Sequence, residues 1–110
     1  MNKLLAVSTL AFFAVTGCAY QTVSVKRLLD DPSHFNGKNV AVRGEIKEGE
    51  GALGLGEYRI DDGTGTLTVV TQHNGAPRKG AQVKVEGKFH GVGMFGNKSV
   101  AVLEEKKRID

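Results

Sequence analysis

Apolar and polar residues alternate through two stretches of the same form. Gly37-Lys38-Asn39-Val40-Ala41-Val42-Arg43-Gly44-Glu45-Ile46 and Gly80-Ala81-Gln82-Val83-Lys84-Val85-Glu86-Gly87-Lys88-Phe89 both read G-x-x-V-x-V-x-G-x-[I/F]. A period of two places Val40, Val42 and Ile46 on one face and Ala41, Arg43 and Glu45 on the other, with Lys84, Glu86 and Lys88 outward in the second copy. Half-buried antiparallel strands are expected. Gly44 and Gly87 fall at the same place in each, where a glycine lets a strand bend as a small barrel requires. Two copies are too few for a solenoid, so the likeness reports curvature and not a tandem repeat. Three further strands are expected. Glu57 to Asp61 turns Tyr58 and Ile60 inward, Thr66 to Thr71 turns Leu67 and Val69 inward, and Ser99 to Lys106 turns Val100 and Val102 inward. Asp62-Gly63-Thr64-Gly65 is the turn between the first two of these. Glu48 to Gly56 and Gly91 to Asn97 read as glycine-rich loops. Ahead of the strands, Ser24 caps a short helix whose stripe is Val25, Leu28 and Leu29 and which Pro32 stops.

The first seventeen residues follow a different pattern. A basic start at Lys3 precedes the apolar run Leu4 to Val15, about a dozen residues against the roughly 20 of a membrane-spanning helix. Only Ser8 and Thr9 interrupt the run, so it lacks the polar face of a helix packed on a core. Val15-Thr16-Gly17-Cys18 closes it and resembles the lipobox of bacterial prolipoproteins. The expected organisation is a signal peptide over 1–17, a lipidated anchor and spacer over 18–22, and one domain over 23–110. The resemblance implies cleavage before Cys18, acylation of that cysteine, and several acyl chains where one would not hold. By resemblance to enterobacterial sorting signals, Ala19 in place of an aspartate implies the outer membrane facing the periplasm over inner-membrane retention. An ordinary cleaved secretory signal is the competing reading.

Composition narrows this picture. Cys18 is the only cysteine, so no intramolecular disulfide is available and the domain stands on packing. The formal net charge is +3, with acids and bases interleaved, and charge gathers only at Glu104-Glu105-Lys106-Lys107-Arg108. A nucleic-acid binder concentrates positive charge on one face and stacks bases on exposed aromatics. Outside the leader the aromatics are Tyr20, Phe35, Tyr58, Phe89 and Phe95, three of which the core requires, so nucleic acid is not the expected partner.

Five strands, bent first and fourth members and an Asp-Gly-Thr-Gly hairpin resemble an OB-fold, closest to the small nucleic-acid-binding-like and periplasmic bacterial OB-fold families. Leu28-Leu29-Asp30-Asp31-Pro32 followed by Phe35-Asn36-Gly37-Lys38 strengthens the resemblance, which runs from Val23 to about Arg108. It implies an all-β, five-stranded barrel with a short N-terminal helix. It also implies that ligands meet the outer face of strands two and three and the flanking loops. That surface holds Arg43, Lys47, Arg59, Thr66, Thr68 and Val70, with Met94 and Phe95 on the distal loop. Arg43, Lys47, Arg59, Thr66, Thr68 and Phe95 are therefore the candidate ligand contacts, and Cys18 is the lipidation site.

No pattern calls for catalysis, a cofactor or a metal. His34, His73 and His90 lack ligand spacing, Asp61-Asp62 suits a turn, and Gly49 to Gly56 ends in no Gly-Lys-Ser or Gly-Lys-Thr. The expected protein is a non-enzymatic binding or adaptor module, tied to the membrane by its lipid, whose partner is an envelope protein, a glycan or a small anionic ligand. A nucleic-acid-binding lipoprotein and a structural subunit of an envelope assembly are the alternatives. A continuous Arg43, Lys47 and Arg59 groove would favour an anionic polymer, whereas an exposed apolar edge would favour a protein.

Overall fold

The computed structural model describes residues 20–52, 55–72, 75–95 and 98–109. Its elements are β1 (Gln21–Thr22), α1 (Val25–Asp30), α2 (Pro32–Phe35), β2 (Asn39–Ala52), β3 (Leu55–Asp61), β4 (Thr66–Thr71), β5 (Gln82–Phe95) and β6 (Lys98–Ile109). β2 pairs with β5 along its first half and with β3 along its second, β3 with β4, β4 with β6 in parallel, and β6 with β5. The ring β2-β3-β4-β6-β5 is thereby closed, and the expected all-β, five-stranded OB-fold barrel with a short N-terminal helix is observed.

The interior is filled from the alternation seen in the sequence: Val40, Val42, Ile46, Tyr58, Ile60, Leu67, Val69, Val83, Val85 and Phe89 are buried. Ser24 caps α1 as expected, its hydroxyl accepting from the Arg27 N–H at 3.2 Å. The Asp62 carboxylate receives the N–H and hydroxyl of Thr64 within its own turn, and Gly63 supplies the positive φ of 88°. Val25, Leu28 and Phe35 close this end of the barrel from α1 and α2.

The bent strands have a specific cause. A Cβ on Gly44 would stand 2.4 Å from the Asp61 carbonyl oxygen, and one on Gly87 would stand 2.0 Å from that of Glu104. Just after Gly44, at Glu45, the partner of β2 changes from β5 to β3, and at Gly87 the β5–β6 register shifts. Each glycine lets a neighbouring backbone cross where any side chain would collide.

Five expectations change. Pro32 does not only end α1; it opens α2, because a fixed φ and a missing N–H suit a first helical turn. Gln21 and Thr22, read as spacer, pair in parallel with Val40 and Ala41. Ala41, expected outward, is buried between the paired strands β1 and β5. The two glycine-rich loops are long hairpin arms, β2 running to Ala52 and β5 to Phe95, since cross-strand hydrogen bonding outweighs the weak strand preference of glycine. In β6 the phase is opposite to that expected: Leu103 and Glu105 are buried and Val102 is only half-buried, because parallel register sets Leu103 beside inward Val69.

Candidate binding face

The outward residues of β3 and β4 follow from the burial of Tyr58, Ile60, Leu67 and Val69 on the other side. Arg59 lies opposite Thr68, and Asp61 opposite Thr66, so Arg59, Thr66 and Thr68 share one outer face as expected. β2 adds Glu48 opposite Arg59, with Arg59 Nη1 and Glu48 Oε1 3.7 Å apart. A bulge between Ile46 and Glu48 sets Lys47 beside the ladder, its Nζ 3.5 Å from Glu45 Oε1. Lys47, Glu48, Glu57, Arg59 and Lys79 line a groove of about 360 Å³. Lys79 was not foreseen, because it arrives from the β4–β5 connection and only the fold brings it there.

Arg43 stands apart. It faces Lys84 across the β2–β5 ladder and lines a separate cleft of about 330 Å³ with Gln82 and Ile109. The expected Arg43, Lys47 and Arg59 track is therefore two surfaces, divided where β2 passes from one partner strand to the other. Like charges directly opposite repel, and Lys84 is neutralised in part by Glu86 at 3.3 Å. The Phe95 side chain and Cys18 lie outside the described residues, as does His73. Val70 lies on the same outer face, half-buried and opposite Glu57.

The face carries both signs of charge. Besides the pairs of Lys47 and Arg59, Glu104 on β6 meets His90 Nε2 at 2.9 Å and Lys106 Nζ at 3.0 Å. The hydrogen bond from His90, and then that from Lys106, hold the Glu104 carboxyl below the ordinary carboxylate range. Among the described residues, no group of three or more His, Cys, Asp or Glu is placed to hold a metal ion. No described helix is long and apolar enough to cross a membrane.

Behind this face the barrel interior holds a buried polar cluster. Glu105 accepts from the Tyr58 hydroxyl through one oxygen and from Thr71 Oγ1 at 3.1 Å through the other. Arg108 Nη1 lies 3.3 Å from the same carboxylate and donates to the Gly75 carbonyl at 2.9 Å, with its guanidinium over the Tyr58 ring. Burial, and then the hydrogen bond to Glu105, raise the Tyr58 pKa far above its ordinary value, so the phenol stays a donor. The cluster braces β3, β4, β6 and the β4–β5 connection, the elements that carry Arg59 and Lys79.

Comparison with known proteins supports the architecture. No protein-family model matches the chain, and no curated protein matches its sequence. Among solved structures, a putative aspartyl-tRNA synthetase from Leishmania major Friedlin superposes with a TM-score of 0.66 at 14% identity, over 88% of this chain. The fold is that of an OB barrel. The chain spans only 22% of that protein, so at this identity the likeness reports the OB fold alone.

Proposed function

We propose that this chain is a lipid-anchored, non-enzymatic OB-fold module of the bacterial envelope that binds a protein partner through the groove of Lys47, Arg59 and Lys79. The observation that carries this reading is the mixed charge of the groove: Glu48 and Glu57 line it with the three cations, and Arg59 sits 3.7 Å from Glu48. A polyanion would meet these carboxylates as repulsion, whereas a protein surface can answer both signs. The lipobox-like Val15-Thr16-Gly17-Cys18 supports the anchor, and its following Ala19 supports the outer membrane. No cofactor is required by this reading.

A nucleic-acid reading draws on the tRNA synthetase neighbour and on Arg43 opposite Lys84. It ranks second because the Lys47, Arg59, Lys84 and Lys106 amines and guanidinium each have a carboxylate within 4 Å, leaving less free charge to track phosphates. Capture of partners from detergent-solubilised envelope by the acylated protein separates the readings. A protein lost with Arg59→Ala and Lys79→Ala but kept with Arg43→Ala supports the groove. Oligonucleotide binding that disappears with Arg43→Ala and with salt replaces it by the second reading.

A further inference from the structure

The direction in which the chain enters β1 constrains how the barrel sits relative to a lipid on Cys18. β1 pairs in parallel with β2, Gln21 with Val40 and Thr22 with Ala41. The chain before Gln21 therefore leaves towards the start of β2, where Lys38 and Asn39 are exposed. β5 is antiparallel to β2, with Asn39 opposite the exposed Lys88. Continuing from Lys88 to Phe95, β5 runs towards the side from which the chain enters β1.

Lengths turn this direction into a constraint. Three residue steps separate Cys18 from Gln21, a reach of about 11 Å at most. The seven steps from Lys88 to Phe95 extend about 23 Å in a strand. A barrel tied so closely to a bilayer has no room to hold this arm clear of it. The composition of the two arms agrees. From Gly91 to Leu103 there is no aspartate or glutamate, and Val92, Met94, Phe95 and Val100 accompany a single charge, Lys98. The β2–β3 arm, leaving from the other end of β2, carries Glu48, Glu50 and Glu57 between Lys47 and Arg59.

We infer that the β5–β6 arm rests on the anionic phospholipid surface in which the Cys18 lipid is embedded, and that the β2–β3 arm, with its three glutamates and its groove of mixed charge, faces away. The inference rests on the lipoprotein reading. Apolar residues at a hairpin tip enter the headgroup layer while lysines meet phosphates, and glutamates are repelled from the same surface. Lys38 and Lys88 provide exposed cations at this end.

The acylated Cys18 leaves an introduced cysteine as the only free thiol. Acylated Ser99→Cys and Glu50→Cys proteins, each carrying a bimane label, are reconstituted in phosphatidylethanolamine–phosphatidylglycerol vesicles containing a headgroup nitroxide. The Ser99→Cys label is expected to lose most of its fluorescence and the Glu50→Cys label to keep most of it. Equal loss at both sites, or greater loss at Glu50→Cys, overturns the inference. Intact mass is read first: an unmodified Cys18 overturns the lipoprotein reading itself. The chain has no tryptophan, so Phe95→Trp gives a second readout, a blue shift on these vesicles, whose absence also counts against membrane contact.

Discussion

One end of the barrel is closed by apolar packing and the other by charge. At the first end, α1 and α2 set Val25, Leu28 and Phe35 against Phe89, all buried. At the other, Tyr58, Thr71, Glu105 and Arg108 meet below the β4–β5 connection, with Glu105 only 5% exposed. Apolar packing is tolerant of sliding and needs no particular partner. A buried carboxylate is stable only while each donor stays in place. The difference teaches that the groove end trades tolerance for fixed geometry, since Tyr58 and the Gly75 carbonyl hold β3 and the connection that delivers Lys79.

The largest effects test whether the ends differ in kind. Phe35→Ala should cost about 3–5 kcal/mol through lost burial and a residual cavity, read as a lower midpoint in urea unfolding. Glu105→Ala should cost about as much, because it strips Tyr58, Thr71 and Arg108 of their shared acceptor. The two then separate in rescue. Replacing the polar cluster together, as Tyr58→Phe with Thr71→Val, Glu105→Leu and Arg108→Met, should return stability to within about 2 kcal/mol of the parent, since apolar replacements of these side chains need satisfy no hydrogen bonds. If that quadruple variant stabilises the barrel yet abolishes partner capture, the cluster serves the groove. If it leaves capture unchanged, the charged end is only another way to fill a core. Tyr58→Phe alone should cost about 1.5–3 kcal/mol, the range for a hydrogen bond to a charged acceptor.

The same contrast explains what the sequence made legible. Strands with strict alternation, such as Val40-Ala41-Val42 and Tyr58-Arg59-Ile60, declared their inward faces, apart from Ala41, which is buried where β1 and β5 flank it. The run Val100-Ala101-Val102-Leu103 fits either phase, and the expected phase kept Glu105 in water. Its actual burial is decided by Tyr58, Thr71 and Arg108, which are distant in sequence and invisible to a local pattern. The hairpin arms were hidden for a related reason, because glycine-rich composition resembles loop and only a paired strand reveals the ladder. Of the candidate site, Arg59, Thr66, Thr68 and Lys47 came together, while the change of partner strand just after Gly44 set Arg43 apart, against β5. Lys79 had no signal beyond a basic turn.

Smaller effects sharpen the picture of the apolar end, whose helices are held by a few polar caps. Ser24→Ala removes the acceptor for the Arg27 N–H and should cost about 1 kcal/mol, seen as faster amide exchange through α1 with little change in β3 and β4. Spread of that faster exchange into the β4–β5 connection would show that the two ends unfold as one.

The weakest expected effect lies at Asp62, which joins the β3–β4 turn to α1. Its Oδ2 accepts from the Val25 N–H at 2.9 Å, and Lys26 N–H donates to Thr64 beside it. Partial burial alone would raise the Asp62 pKa. Hydrogen bonds from the Thr64 side chain and the Val25 and Thr64 N–H groups outweigh it, and the carboxyl titrates below its ordinary value. A depressed folded-state pKa means that the contribution is present above the unfolded value, roughly 3.9, and is lost as pH falls through the folded value. Acid should therefore loosen α1 below the ordinary carboxylate range, with no counterpart at neutral pH. Comparing Val25 amide exchange in the parent and in Asp62→Asn over that acid window isolates the effect, since asparagine keeps an acceptor but has no proton to gain. A parent whose Val25 protection does not fall in acid, or a variant that loses it in the same way, would show that the helix-capped end is held by Leu28 and Phe35 alone.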